Sequence, residues 1–346
     1  MDKDPLVSVI LPIRNESAYI ERGLFAILAQ NYPVACMEIL IADGMSTDDT
    51  RKIIKDFAAL HPQIEIRIFD NPGRIVPVGM NIALSHANGE VIVRVDGHCI
   101  IAPDYIRKCV EHIQKDGVDG VGGPMESIGE TQMAKAIAIG MSSSFGVGNS
   151  AFRTMSGRSM LADTVPFPAY TREIIERVGF YDEELVRNQD DEYNYRIRKL
   201  GGKILLADDV RSTYFSRTSL KGLWRQYYQY GFWKVRVLQK HTRQMSIRQF
   251  VPPAFVLALV SSAMFIFPPI LRPFSSIVLL YLVANLSASL WTASKRSWAS
   301  LPLLPFIFAI LHLSYGLGFL IGLVKFVNRW DDKKGKEPTF QTPAPI

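Results

Sequence analysis

The most telling feature of this 346-residue chain is a missing charge. Between Asp209 and Asp331 there is no Asp or Glu, although the same stretch carries 14 Lys or Arg. Up to Asp209 the balance is reversed, with 22 basic residues against 30 acids, so the formal net charge of +6 conceals an acidic front and a basic rear. A rear half that excludes acids but keeps cations among long apolar runs suits a segment lying on or in a membrane with anionic headgroups. The same interleaving argues against nucleic acid as a partner. Cysteine is scarce as well: Cys36, Cys99 and Cys109 are odd in number and form no CxxC pair. That excludes a disulfide framework and fits reduced thiols in a cytosolic compartment. No GxxxxGK[ST] phosphate loop occurs, which disfavours nucleotide hydrolysis. The opening MDKDPLVSVILP is too polar, and its apolar run too short, for a signal peptide, so the front half is expected to stay in the cytoplasm.

The front half alternates strand-like and helix-like segments. Val7 to Leu11, Glu38 to Ala42, Ile64 to Phe69 and Val91 to Val95 read as strands. Between them, Ile20 to Leu28 recurs at helical spacing, and Ser46 with Asp49 reads as a capping-box-like start to a helix ending near Leu60. Val78 to Ala87 gives a further helix. This rhythm predicts a parallel, doubly wound α/β sheet, whose ligands bind beyond the carboxyl ends of the strands. The strand ends carry Pro12, Arg14, Asn15 and Glu16, then Asp43, then Asp96 and His98. In VIVRVDGHC, Asp96 and His98 are two apart and offer an oxygen and a nitrogen to one point, a pair suited to Mn²⁺ or Mg²⁺. The plain alternative is an Asp-Gly turn with a histidine beside it.

The motifs SVILPIRNE, ILIADGMSTDDT, VDGHC, FPAYTREIIERVGFYDEEL and QDDEYNYRIRKLGG resemble those of the family 2 glycosyltransferases, from about Val7 to Gly231. The resemblance implies a GT-A, Rossmann-like domain that uses a nucleotide-diphosphate sugar. It places the nucleotide base on Asp43 and the nucleoside within Pro12 to Glu16, with Arg14 and Glu16 among the binding residues. Arg74, in NPGR, matches a basic position near the nucleotide. The usual Asp-x-Asp metal motif is replaced by Asp96-Gly97-His98, a form seen in members that resemble bacterial exopolysaccharide transferases of the succinoglycan type.

The chemistry asks for the same groups. A departing nucleoside diphosphate builds negative charge that a divalent cation stabilises, and the attacking hydroxyl must lose its proton to a base. The cluster Gln189-Asp190-Asp191-Glu192 supplies the acids. Three carboxylates at a helix start also suit the helix dipole without any catalysis. Alignment of Glu192 with the last acid of the family pattern makes Asp190 the base, and a slip of one residue would exchange it for Asp191. Neighbouring acids raise proton affinity, and one base with no nucleophile implies inversion by single displacement. Gly122 and Gly123 are expected to let the backbone approach the donor sugar, and Gly140 to Gly157 to form a mobile loop.

The rear half begins with a basic, aromatic-rich amphipathic segment, Ser219 to His241, suited either to a membrane interface or to packing on the catalytic domain. Gln226 to Tyr230 lacks the Gln-x-x-Arg-Trp of processive synthases. Phe250 to Leu271, Phe274 to Ala293 and Leu301 to Phe326 are each about long enough to cross a bilayer, and the first is rich in proline. Three crossings would leave the C-terminal basic cluster outside, against the positive-inside tendency, so parity is open. Gly316, Gly318 and Gly322 read as helix-packing positions. The expected organisation is a GT-A domain over 1–215, an interfacial helix over 216–248, a hydrophobic membrane region with two or three crossings over 249–330, and a disordered tail over 331–346.

The sequence thus predicts a cytoplasm-facing transferase anchored in the bacterial inner membrane. Its donor is expected to be a UDP-hexose such as UDP-glucose, and its acceptor a polyprenyl-diphosphate-linked or other lipid-linked saccharide in exopolysaccharide assembly. A processive synthase and a catalytically silent scaffold are the alternatives.

Overall fold

A computed structural model describes residues 4–148, 150–154, 157–264, 271–336 and 338. The chain divides into two compact units. The first comprises Met1–Glu126, Met155–Tyr214 and Gly335–Ile346, and the second Ser127–Thr154 and Phe215–Lys334.

The first unit begins with β1 (Val7–Ile13), α1 (Ile20–Leu28), β2 (Met37–Asp43), α2 (Thr50–Leu60), β3 (Glu65–Asp70), α3 (Val76–Ser85) and β4 (Val91–Arg94). Strands β1 and β2 are buried along their whole length, which is why they read as unbroken apolar runs rather than alternating ones. Strand β3 is less covered and holds the sheet edge. The register pairs Ile13 with Asp43 and Asp43 with Asp70, so three successive strands end level and deliver their loops to one edge.

After β5 (Cys99–Ile101), α4 (Tyr105–Asp116) and β6 (Gly120–Gly122), β7 (Met125–Ile128) leads into α5 (Gln132–Met141), α6 (Ser144–Val147) and α7 (Ala151–Thr154). The chain re-enters the first unit with β8 (Met160–Leu161), β9 (Ala169–Thr171), α8 (Arg172–Val178), α9 (Gln189–Lys199), β10 (Ile204–Leu206) and β11 (Ser212–Phe215). The large sheet has the order β3-β2-β1-β4-β9-β6-β10-β8, and a small one the order β5-β11-β7. The first four strands are parallel as expected, but β9 runs antiparallel to both β4 and β6. The sheet is therefore mixed, a departure from the doubly wound expectation.

Three local expectations also change. Asp49 makes no capping bond with its side chain. Ser46 turns to Asp43 instead, and Asp48 accepts from the Thr50 amide. Gly122 and Gly123 do allow a close backbone approach, but to this chain's own backbone. A Cβ on Gly122 would lie 2.7 Å from the Pro166 oxygen, and one on Gly123 would lie 1.4 Å from the Val210 oxygen. The 140–157 segment holds the short helices α6 and α7 among its described residues, while 149, 155 and 156 lie outside them.

In the second unit, α10 (Leu220–Lys240) is capped by Ser219, whose hydroxyl accepts from the Gly222 amide at 3.1 Å. It is followed by α11 (Val251–Met264), α12 (Leu271–Arg296) and α13 (Leu304–Lys325). Helices α10 and α13 touch backbone to backbone: a Cβ on Gly231 would lie 2.0 Å from the Tyr315 oxygen, and one on Gly318 would lie 2.1 Å from the Tyr228 oxygen. Those glycines are helix-packing positions. Among the cations of α10, Lys234, Arg236 and Lys240 are buried. Arg236 donates to Gln239 Oε1 (2.6 Å) and to the carbonyls of Arg329 and Asp332, so it closes off the chain beyond α13. Of the rear helices, the stretches Ser276–Arg296 and Leu304–Lys325 are long and apolar enough to cross a membrane. The expected disordered tail falls largely on 337 and 339–346, which lie outside the described residues.

Candidate active site

The loops after β1 and β2 are stitched together at the strand-end edge. The Asn15 amide donates to Ser46 Oγ, the Glu16 amide to Thr50 Oγ1 (2.8 Å each), and the Thr47 amide to Asn15 Oδ1 (2.9 Å). Asp48 takes part through Thr50 and Ser17; slight burial opposes its ionisation, but their hydrogen bonds hold it at about 2. Asp43 is fully buried, accepts from the Ser46 hydroxyl and amide, and pairs with Arg51 Nε at 3.2 Å. Pro12 is buried beneath this loop pair, and Arg14 is exposed above it. Arg74 sits in a tight turn beyond β3, its amide donating to the Asn71 carbonyl and Oδ1 (3.1 Å each), with its side chain exposed.

Asn15, Met45 and Arg74 all have positive φ (54°, 57° and 57°), and each follows one of three adjacent strands. Non-glycine residues reach this region only at a cost, and such strain gathers at ligand-facing sites.

The Asp96-Gly97-His98 stretch leaves β4 beside this edge. Arg94 grips Asp96 with two prongs, Nε to Oδ1 at 2.8 Å and Nη2 to Oδ2 at 3.2 Å. Burial alone would raise the Asp96 carboxyl, but Arg94, then His98 and Arg187, hold it below the usual range. Arg94 is itself only 8% exposed. Burial disfavours its charge, yet the nearby Asp96 and Asp190 more than restore it. His98 Nδ1 lies 2.8 Å from Glu16 Oε1, and the ring stands edge-on to Tyr214 at 5.0 Å. In the tautomer whose Nδ1 carries the proton, that nitrogen donates to Glu16 and Nε2 is the one left for a ligand. Gly97 has no alternative here: its Cβ would meet Glu16 Cγ at 2.7 Å.

Helix α9 brings the second half of the site. Its N-cap, Asn188, is left-handed (φ 61°), and the Asp191 amide donates to Asp190 Oδ1 at 2.9 Å. Burial, then the adjacent Asp191, raises the Asp190 carboxyl, with Arg94 opposing and Asp96 adding to the rise. Asp190 is thus in electrostatic reach of Arg94 and Asp96, although about a hundred residues separate them in sequence. Glu192 is committed elsewhere, since Arg196 holds both its oxygens (2.8 and 3.1 Å) and also the carbonyls of Val178 and Phe180.

The residues singled out by sequence therefore fall into three groups: Pro12, Arg14, Asp43 and Arg74 on or after β1 to β3, Asp96 and His98 after β4 with Glu16 against His98, and Asp190 and Asp191 at the start of α9. Sequence reasoning missed Arg94 and Arg187, and it missed Glu16 as the partner of His98. The Arg94 signal was available. A cation inside a buried four-residue strand needs a partner, and Asp96, two residues on, leaves the strand on the same side.

The donor chemistry fits a divalent cation of the type held by one or two side chains plus substrate phosphates. Among the described residues no three or more His, Cys, Asp or Glu gather into a metal-binding group. The Glu16–His98 pair supplies the carboxylate that commonly orients a ligating imidazole.

Fold and site together define a sugar transferase of GT-A type, and the comparisons agree. The glycosyl transferase family 2 model matches residues 8–179. The chain is 30% identical over 341 residues to the succinoglycan biosynthesis protein ExoA of Rhizobium meliloti, covering 95% of this chain and 99% of that one. It is 29% identical over 328 residues to a dolichyl N-acetyl-alpha-D-glucosaminyl phosphate 3-beta-D-2,3-diacetamido-2,3-dideoxy-beta-D-glucuronosyltransferase of Methanococcus voltae, covering 92% and 97% of the two chains. The chain belongs to glycosyl transferase family 2 and is a glycosyltransferase of polysaccharide or glycan biosynthesis. A mannosyltransferase from Pyrobaculum calidifontis, solved with GDP-Man and Mn²⁺, shares the fold with a TM-score of 0.60 at 19% identity, over 92% of this chain and 88% of that one.

Proposed function

We propose that this chain is a membrane-anchored, inverting hexosyltransferase. In this proposal it moves a hexose from a nucleotide-diphosphate sugar, UDP-glucose being the favoured donor, to a lipid-linked saccharide on the cytoplasmic face of the inner membrane. The observation that supports it is the approach of Asp96 and Asp190 to Arg94, with His98 beside Asp96, at the carboxyl edge of the sheet.

In this mechanism the loops after β1, β2 and β3 hold the nucleoside, with Asp43 at the base and Arg14 and Arg74 over the polar face. Asp96 and His98 Nε2 would hold a divalent cation, Mn²⁺ or Mg²⁺, which when bound offsets the charge of the diphosphate. Glu16 fixes the His98 ring, and Arg94 fixes the Asp96 carboxylate. Asp190 takes the proton from the acceptor hydroxyl as that oxygen attacks the anomeric carbon from the face opposite the diphosphate. Its raised proton affinity suits this task, because a base works best when its pKa approaches the working pH. The acid-free rear half and the two bilayer-length helices support anchoring, and ExoA's part in succinoglycan biosynthesis supports the exopolysaccharide assignment.

The test is radiolabelled sugar transfer in membranes with a panel of UDP- and GDP-sugars, with and without Mn²⁺ or Mg²⁺. Asp190→Asn should lower transfer by about 10²–10⁴-fold with donor binding kept. Full transfer by Asp190→Asn would move the base to Asp191. Full transfer in excess chelator would end the role of the cation.

A further inference from the structure

The chain between α8 and α9 is held by α3, by α9 and by a segment from far along the sequence. Asn81 of α3 is fully buried. Its Oδ1 accepts from the Tyr181 amide at 2.7 Å, and its Nδ2 donates to the Tyr181 carbonyl at 2.9 Å and to Glu183 Oε1 at 3.1 Å. On the other side, the Tyr181 ring stacks on Tyr193 of α9 at 3.9 Å, and the Tyr193 hydroxyl donates to the Gly179 carbonyl at 3.0 Å. Arg196 of α9 donates to the Val178 and Phe180 carbonyls at 2.8 Å each.

The third hold falls on Asp182 and Glu183, which are 6% and 2% exposed. Asp182 Oδ1 accepts from the Glu184 amide at 3.0 Å and its carbonyl from the Leu185 amide at 3.1 Å, so this residue closes a tight turn. The same Oδ1 accepts from the Lys336 amide at 2.8 Å, while the Lys336 carbonyl accepts from the Glu183 amide at 3.2 Å. Gly335 lies against the carboxylate, since a Cβ there would stand 3.4 Å from both Asp182 Cγ and Oδ2. Lys336 thus engages through both of its backbone groups, although the residue as a whole is exposed. All four residues belong to the first unit, with 154 positions between Asp182 and Lys336. A buried carboxylate is costly unless hydrogen bonds satisfy it, and the Lys336 amide supplies one of those bonds.

From Asp182 the chain reaches Asp190 in eight residues. Within that span the Val186 amide closes on the Glu184 carbonyl at 3.1 Å, and Asn188 takes the left-handed conformation that starts α9. A path this short and this tightly turned carries a shift at Asp182 into the first turn of the helix. We propose that Gly335–Lys336 is a clasp on this turn, and that Asp182 is a positioning residue that acts through it to set where α9 presents Asp190. This rests on the reading of Asp190 as the base. Opening the clasp leaves the body of α9 in place, because Tyr193 and Arg196 tie it to the residues after α8. It frees the first turn, and a misplacement of about 1 Å at a reacting group costs about 10²-fold in rate. The loops after β1, β2 and β3, which hold the nucleoside in that reading, contain no residue of this turn, so donor binding stays as it is.

The test pairs hydrogen exchange of the purified full chain in detergent with steady-state transfer, kcat and donor KM being measured separately with the sugar nucleotide of the UDP- and GDP-sugar panel that is consumed. Lys336→Pro removes the amide donor, and Lys336→Ala keeps both backbone bonds. Asp182→Ala removes the acceptor, and Asp182→Asn keeps an oxygen there. Lys336→Pro should speed exchange over residues 182–191 and lower kcat by about 10–10²-fold with the donor KM unchanged. Lys336→Ala should match the wild type in both. Asp182→Ala should lower kcat at least as far and Asp182→Asn should restore most of it. Adding Lys336→Pro to Asp182→Ala should lower it no further, because both remove the same bond. Where Asp182→Ala does not fold, the exposed position 336 carries the test. Wild-type exchange in Lys336→Pro would overturn the clasp, and so would an equal defect in Lys336→Ala. Faster exchange with wild-type kcat would overturn the positioning role. Full transfer by Asp190→Asn would refute the base reading instead, and the exchange measurement would still decide the clasp.

Discussion

Replacing Gly97 by alanine tests the ligand pair without touching either ligand. The added Cβ would lie 2.7 Å from Glu16 Cγ and 3.1 Å from both Glu16 Cβ and Ile13 Cγ2. Real Cβ atoms do not sit that close, so Glu16 must yield, and yielding breaks its 2.8 Å contact with His98. Overpacking of this kind costs about 1–3 kcal/mol of stability. Losing the carboxylate that orients a ligating histidine costs about 10–100-fold in metal affinity or activity. Gly97→Ala should therefore need more Mn²⁺ for half-maximal transfer, by about that factor, while folding remains cooperative. Glu16→Ala should show the same metal defect for a different reason. The double variant is the sharp arm, because once Glu16 is truncated the main clash is gone. Its defect should match Glu16→Ala alone rather than the product of the two. Metal-dependent transfer at graded Mn²⁺, together with thermal unfolding, reads both terms. Wild-type metal dependence in Gly97→Ala, or multiplicative defects in the double variant, would refute the reasoning.

Asp190 is raised by burial and by Asp191, and as a base it must be deprotonated, so transfer should rise with pH through its titration. Asp191→Asn removes the like charge and should move that acid limb to lower pH in a kcat/KM profile; an unmoved limb would clear Asp191 of the effect. Glu38 is buried and accepts from Ser8 Oγ and the Asn88 amide at 2.6 Å each, and these bonds, with that of Arg67, hold its carboxyl low against the cost of burial. Its contribution to stability is therefore present above the ordinary carboxyl range and lost as pH falls through the lowered one. Glu38→Gln should cost about 1–3 kcal/mol near neutral pH, with the difference shrinking on acidification in thermal melts. In the second unit, Gly231→Ala gains about 1 kcal/mol of helix propensity but drives a Cβ to 2.0 Å from the Tyr315 oxygen. The clash should prevail and lower the melting temperature in detergent.

The four parallel strands were legible because each is an apolar run ending in a polar cluster, and that pattern also exposed Asp43 and Asp96, while Asp190 came from the run of acids that opens α9. Strand β9 was not legible. Three residues, Ala169 to Thr171, are too few to show a period, and their place between β4 and β6 depends on long-range pairing. Gly122 and Gly123 announced a close approach without saying to what, because a missing side chain carries no information about its neighbour. The burial of Arg236 was not legible either, because its carbonyl partners lie about 95 residues on, after α13.

The left-handed residues after β1, β2 and β3 set stability and activity against each other. At Asn15, Met45 and Arg74 the backbone would be more comfortable with glycine. A selection for thermal tolerance alone would therefore find Arg74→Gly attractive, and, on the donor role proposed for Arg74, would pass along a chain that melts later and holds its donor less well. Directed evolution of this enzyme for robustness should be screened under limiting donor, where such false gains are visible.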